Sequence, residues 1–185
     1  MDFYPIKNKI ACYNSKSVNT EIRHKLAAVI VLLLISKNEI SLLLQIRSEH
    51  LKYHPGEIGF TGGTKEEIDD NLIDTAYRET EEEIGVLRKD IELIGDLDSV
   101  LTSTLFLIKP YVGIIDKNPE FYLSSEVAKI VNVPLTELNN HINWRYDYII
   151  TKKSLKKFRT FYYDDNIIFG ATAKIINNLL NILNK

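Results

Sequence analysis

Apolar positions run unbroken from Ala27 to Ile35, and an aliphatic, β-branched run of that length is the pattern of a strand buried on both faces. Ser36-Lys37-Asn38 supplies turn chemistry, and apolar positions resume from Ile40 to Ile46, which predicts a second strand and a central hairpin. The stretch before Gly85 reads as a helix, with Asp70 or Asn71 able to cap its start and Gly85 placed to end it. Residues Thr104 to Ile115 and Phe158 to Tyr163 read as further strands, Pro110 implying an edge or a break in the first. Ala171, Ile175, Ile176, Leu179, Leu180 and Leu183 form one helical stripe, which predicts a last helix packed on the sheet. The class is therefore mixed α/β.

With 185 residues and 45% hydrophobic content, the chain is long enough for one domain with a real core. A formal net charge of -2 gives no general reason to expect nucleic acid or an anionic membrane as partner. Cys12 is the only cysteine, which excludes an intrachain disulfide and a cysteine zinc cluster and fits a reducing compartment. The opening MDFYPIKNKI has no apolar run of signal-peptide length, and Leu26 to Ile35 is too short to span a bilayer. A cytoplasmic protein is the simplest expectation.

The chemistry concentrates between Gly62 and Val86. Glu79, Glu82 and Glu83 stand three and four residues apart, so at about 100° per residue they share one helical face, where like charges repel. A cation relieves that repulsion. Oxygen ligands without Cys or His suit Mg²⁺ or Mn²⁺, ions that share their coordination with substrate phosphate. Glu81 lies about 200° from Glu79 and belongs to the solvated side. An acidic helical run is by default only wet surface, but the Gly62-Gly63 turn, Arg78 beside the acids and Gly85 at the end favour metal binding.

These residues resemble the box of the Nudix hydrolases: Gly, five residues, Glu, seven residues, Arg-Glu, an aliphatic residue, any residue, Glu-Glu, any residue, Gly, an aliphatic residue. Arg78 to Val86 matches the second half, with Thr80 in the aliphatic place. Seven residues separate Arg78 from Asp70 rather than from a Glu, with six residues instead of five between Asp70 and Gly63, a spacing found in the coenzyme A pyrophosphatase branch. The pattern upstream of the box in that branch is matched in register by Leu43-Leu44-Gln45-Ile46-Arg47-Ser48, Lys52, Gly56 and Phe60-Thr61-Gly62-Gly63. Gln45 replaces Thr, Lys52 replaces Arg and Thr61 replaces Pro. Segments around Pro110, Glu126, Val133 and Phe169-Gly170 follow the same branch, so the likeness covers most of the chain from about Lys25. It implies a Nudix-type α/β/α sandwich with a mixed central sheet over residues 25–185, after an N-terminal extension of residues 1–24.

The resemblance implies roles as well. Glu79, Glu82 and Glu83 would hold Mg²⁺ or Mn²⁺, the Gly63 carbonyl could join the metal shell, and Arg78 would orient the carboxylates through ion pairs. Glu126 is a candidate general base or extra ligand, against the alternative of a plain surface Glu. Arg47 and Lys52 are candidate phosphate contacts rather than mere charges at a strand end. Gly62 and Gly63 would let the backbone approach the ligand closely. His54 reads as a loop residue, and Trp144, Tyr146, Tyr148, Tyr162 and Tyr163 as core or sheet-face aromatics, one of which could stack on adenine.

The activity implied is metal-assisted hydrolysis of a nucleotide diphosphate, with coenzyme A or an acyl derivative giving 3′,5′-ADP and the 4′-phosphopantetheine half. A general nucleoside diphosphate-X hydrolase, acting on ADP-ribose or a dinucleotide, needs the same helix without a pocket for the 3′-phosphate. A silent nucleotide sensor is disfavoured by the full carboxylate set. The partner is a small nucleotide; monomer and homodimer are both left open.

Overall fold

The computed structural model describes residues 3–18, 24–36, 39–115, 119–150 and 155–185. In chain order the elements are α1 (Tyr4–Ala11), β1 (Lys25–Ile35), β2 (Ile40–Arg47), β3 (Ile58–Gly59), β4 (Thr61–Thr64) and α2 (Leu72–Ile84). There follow β5 (Glu92–Asp96), β6 (Val100–Leu101), β7 (Phe106–Ile115), β8 (Val127–Pro134) and α3 (Leu135–Asn139). The last are β9 (Trp144–Ile150), β10 (Leu155–Tyr163), β11 (Asn166–Ile168) and α4 (Gly170–Leu183).

The expected apolar run is β1, and it lies at the centre. Its residues Ala28 and Ile30 to Leu33 are fully buried, because helices cover both faces of the sheet. Ala28, Ile30 and Leu32 pack with Ala76, Tyr77 and Ile84 of α2. Val31 and Leu33 point to the other side, where Ile10 of α1, Ile176 and Leu179 of α4, and Trp144 and Phe161 of the small β9–β10–β11 sheet close the larger core. The central sheet is mixed: β1 pairs with β7 in parallel and with β2 and β4 antiparallel.

The predicted hairpin is present. Ser36 N–H bonds the Glu39 carbonyl at 2.9 Å across the turn, while Lys37 and Asn38 lie outside the described residues. Pro110 does not interrupt β7; it falls where the outer edge of that strand changes partner from β5, paired at residues 111–114, to β6, paired at residues 107–108. The missing N–H is placed at that break, and the Pro110 carbonyl still accepts from Leu97 N–H.

One feature of the sheet creates the site. The edge of β1 facing β2 is shared: residues 32–35 pair with β2, whereas residues 27–30 pair with β4. Beyond Leu43, β2 has left β1 and pairs through Gln45 and Ile46 with β3 instead. The segment Ile58–Thr64 crosses this split from one strand to the other, and α2 packs over it.

Candidate active site

The split lets two strands address one helix. From β4 come Thr61, Gly62 and Gly63, and from the diverged half of β2 come Gln45 and Arg47. The first turn of α2 is held by Asn71, whose side chain accepts from Ile73 and Asp74 N–H at 3.0 and 3.1 Å. Its end is set by Gly85 in the left-handed conformation, φ 74°. Of the two cap candidates Asn71 is therefore the cap, and Asp70 is exposed in front of it.

Arg78 is the hub of the acidic face. Its guanidinium takes Asp69 in a fork, Nε to Oδ1 at 3.0 Å and Nη2 to Oδ2 at 3.1 Å, and Nη1 reaches Glu79 at 2.9 Å and Glu82 at 3.2 Å. Asp69 is buried, also accepts from Glu66 N–H and the Thr75 hydroxyl, and is held by Arg78 well below the usual carboxylate range. Sequence reasoning missed it. Counting five residues forward from Gly63 lands on Asp69, whereas counting back from Arg78 lands on Asp70, and hydrogen bonding rather than spacing decides between them.

Glu79 lies against Gly63 so closely that a Cβ there would stand 2.5 Å from its Oε1. Glu83 is 5% exposed, and its Oε2 accepts from Gly62 N–H at 2.9 Å. Burial pushes the Glu83 carboxyl up to about 7, against the pull of the Gly62 and Gln45 hydrogen bonds, with the Glu79 charge adding to the rise. Burial likewise raises Glu79 against the pull of Arg78. Arg47 stands across from them, Nη1 3.9 Å from Glu83 and Nη2 3.6 Å from Glu126. Glu126 arrives there because β8 runs along β2, with Val127 opposite Arg47 at a bulge. Arg47 Nε and Gln45 Oε1 are buried without a partner among the described residues.

The remaining candidates are distributed around this centre. Lys52 is exposed on the loop after β2, its ammonium 5.4 Å from the Tyr53 ring, and among the described residues it forms no ion pair. His54 sits in the same loop at φ 56° and pairs with Glu57. Glu81 is exposed. Trp144 is a core residue, its indole N–H on the Leu138 carbonyl, while Tyr146 and Tyr148 are exposed on β9.

The sequence profile of the NUDIX domain matches residues 24–152. The chain belongs to the Nudix hydrolase family. Among relatives of this Nudix hydrolase, a protein described as uncharacterized Nudix hydrolase NudL, from Photorhabdus laumondii subsp. laumondii, is 32% identical over 165 residues, 89% of this chain and 87% of its own length. The fold is shared with a MutT/nudix family protein from Enterococcus faecalis, TM-score 0.60 at 16% identity over 91% of this chain and 65% of that one. It is also shared with the NUDIX domain of Shewanella oneidensis NrtR complexed with ADP ribose, TM-score 0.50 at 21% identity over 63% and 77%.

Nudix hydrolases generally use divalent ions such as Mg²⁺ or Mn²⁺, and the donor set here fits one. Burial raises the carboxyls of both Glu79 and Glu83, and the Glu79 charge adds to the rise at Glu83, an electrostatic state that an added cation relieves. Among the described residues no three acidic, His or Cys side chains converge into a ready-made cluster, and Glu79 and Glu82 are both paired with Arg78. No described helix is long and apolar enough to cross a membrane.

Proposed function

We propose that this Nudix hydrolase cleaves the diphosphate of coenzyme A or an acyl derivative into 3′,5′-ADP and the (acyl-)4′-phosphopantetheine half. The observation that carries the reading is the position of Arg47, a planar guanidinium between Glu83 and Glu126 at the mouth of the split, in register with the phosphate-binding pattern of the branch. Glu79, Glu82 and Glu83, with the Gly63 carbonyl, are the groups that would hold Mg²⁺ or Mn²⁺. When bound, the ion supplies charge neutralisation for the diphosphate oxygens and lowers the pKa of a water.

The protein's own groups do the rest. Arg78 orients Glu79 and Glu82 through its ion pairs, and Arg47 grips a phosphate oxygen. Glu126, exposed and tied only loosely to Arg47, takes a proton from the water as its oxygen bonds to phosphorus. The P–O bond to the bridging oxygen breaks in line, and its electron pair leaves with the departing phosphate.

A second reading, a nucleoside diphosphate-X hydrolase, is favoured by Lys52, which replaces the Arg of the branch pattern and is exposed with its ammonium over the Tyr53 ring. Incubating the protein with coenzyme A, 3′-dephospho-coenzyme A, ADP-ribose and dinucleotides, each with Mg²⁺ or Mn²⁺, and identifying products by mass separates the two. Arg47→Ala should lower kcat/KM for coenzyme A by roughly 1.5–3 kcal/mol and for the dephospho form much less. Equal losses would assign Arg47 to the diphosphate, and cleavage of ADP-ribose alone would overturn the coenzyme A reading.

A further inference from the structure

Behind the carboxylates of α2 lie three buried polar side chains, Gln45, Thr61 and Thr80, each in a place where an apolar group would leave no polar atom to satisfy. Gln45 and Thr61 replace the Thr and Pro of the branch pattern, and Thr80 fills the aliphatic place of the box. The structure joins all three to one helix.

Thr80 Oγ1 donates to the Ala76 carbonyl at 2.8 Å, which uses its only proton. The second 2.8 Å contact of that oxygen, to Thr61 Oγ1, is therefore donated by Thr61. Three successive residues of β4 thus each take one residue of α2: Thr61 takes Thr80, Gly62 takes Glu83, and Gly63 lies against Glu79. The hydroxyl bond sets how far along the helix β4 lies, and with it where the Gly62 N–H points. From the other strand Gln45, 2% exposed, sets its amide against Glu83, where it opposes the rise that burial causes, and leaves its own carbonyl oxygen without a partner among the described residues. An amide kept at that cost is kept for its donor.

We infer that Gln45 and the Thr61–Thr80 pair are positioning residues that hold Glu83 in one rotamer, so that a lone pair of its carboxylate stays turned towards a divalent ion. The inference rests on the metal-dependent reading proposed above. It differs from a purely structural role in what it predicts for an ion bound in the absence of substrate.

The test compares Gln45→Met, Thr61→Val, Thr80→Val, Thr61→Val/Thr80→Val and Thr80→Ser by Mn²⁺ binding to the substrate-free protein, followed by electron paramagnetic resonance, together with melting temperature, kcat and KM. Gln45→Met should weaken Mn²⁺ by roughly 10-fold or more and lower kcat, with KM for the nucleotide within about twofold. The two Val variants should weaken Mn²⁺ equally, their double no further because they share one bond, and Thr80→Ser should restore wild-type affinity. Wild-type Mn²⁺ affinity in Gln45→Met and in the double Val variant, with lowered melting alone, would overturn the proposal. So would an absence of Mn²⁺ binding by the wild type. If Gln45→Met does not fold, the Thr series decides. Normal Mn²⁺ behaviour with no cleavage of any diphosphate would instead overturn the substrate reading and leave this one standing.

Discussion

Gly63→Ala sets a single methyl group against the acidic face of α2. The added carbon would stand 2.4 Å from the Glu79 carboxyl carbon and 2.5 and 2.7 Å from its two oxygens, where ordinary contact begins at 3.4 Å, so the carboxylate must retreat by 0.7 to 1.0 Å. The obstacle is the far end of a flexible side chain, so the cost to folding should stay below about 1 kcal/mol, within roughly 2–4 °C of melting temperature. For catalysis the same retreat is large: a misplacement of about 1 Å costs on the order of 10²-fold, or about 2.7 kcal/mol. Gly62→Ala is the control. Gly62 holds φ 143°, and a Cβ there would lie 2.6 Å from the Val29 Cα inside β1, so that change should unfold the protein rather than silence it. Scanning calorimetry with kcat and Mn²⁺ titration of both variants separates the cases. Gly63→Ala with more than half the wild-type turnover, or melting as low as Gly62→Ala, would refute the reasoning.

Glu83→Gln keeps the shape and removes the charge, so it should lose most activity and weaken Mn²⁺ without unfolding; unchanged turnover at saturating Mg²⁺ would sink the metal-helix assignment. Asn71→Ala should cost about 1 kcal/mol as a lost cap, whereas Asp70→Ala should stay within about 0.5, as thermal melts can show. Asp69 is depressed by Arg78, so its contribution is complete above the unfolded carboxylate value of about 3.9 and is lost as pH falls through the lower folded one. The melting gap between wild type and Asp69→Asn should therefore be widest near neutrality and close below about pH 4; a gap independent of pH would contradict the ion pair.

Local signals were legible and pairings were not. The apolar run of β1, the glycine end of α2 and the stripe of α4 follow from periodicity and backbone preference, which each residue carries by itself. Even there Ile182 is buried, while Leu183 is only partly so. Asp69 was passed over because Asp69, Asp70 and Asn71 offer nearly the same chemistry at adjacent positions, and only the reach of Arg78 and the backbone of the first turn distinguish them. Thr61 and Thr80 read as two unrelated departures from a pattern, yet they are one hydrogen bond. The sharing of the β1 edge between β2 and β4 has no local signature at all, because nothing in an aliphatic run states which strand will lie beside it.

The parallel pairing of β1 with β7 joins Lys25 to Phe106 and Leu34 to Ile115, partners 81 residues apart. Closing such a loop costs entropy before any contact repays it, so β7 docks after the local β1–β2 hairpin during folding and during synthesis. Until then the most apolar strand of the protein presents an open edge, the template on which chains associate with one another. A chain cut before Phe106 would retain every residue of the acidic helix and both glycines, and it would aggregate rather than bind.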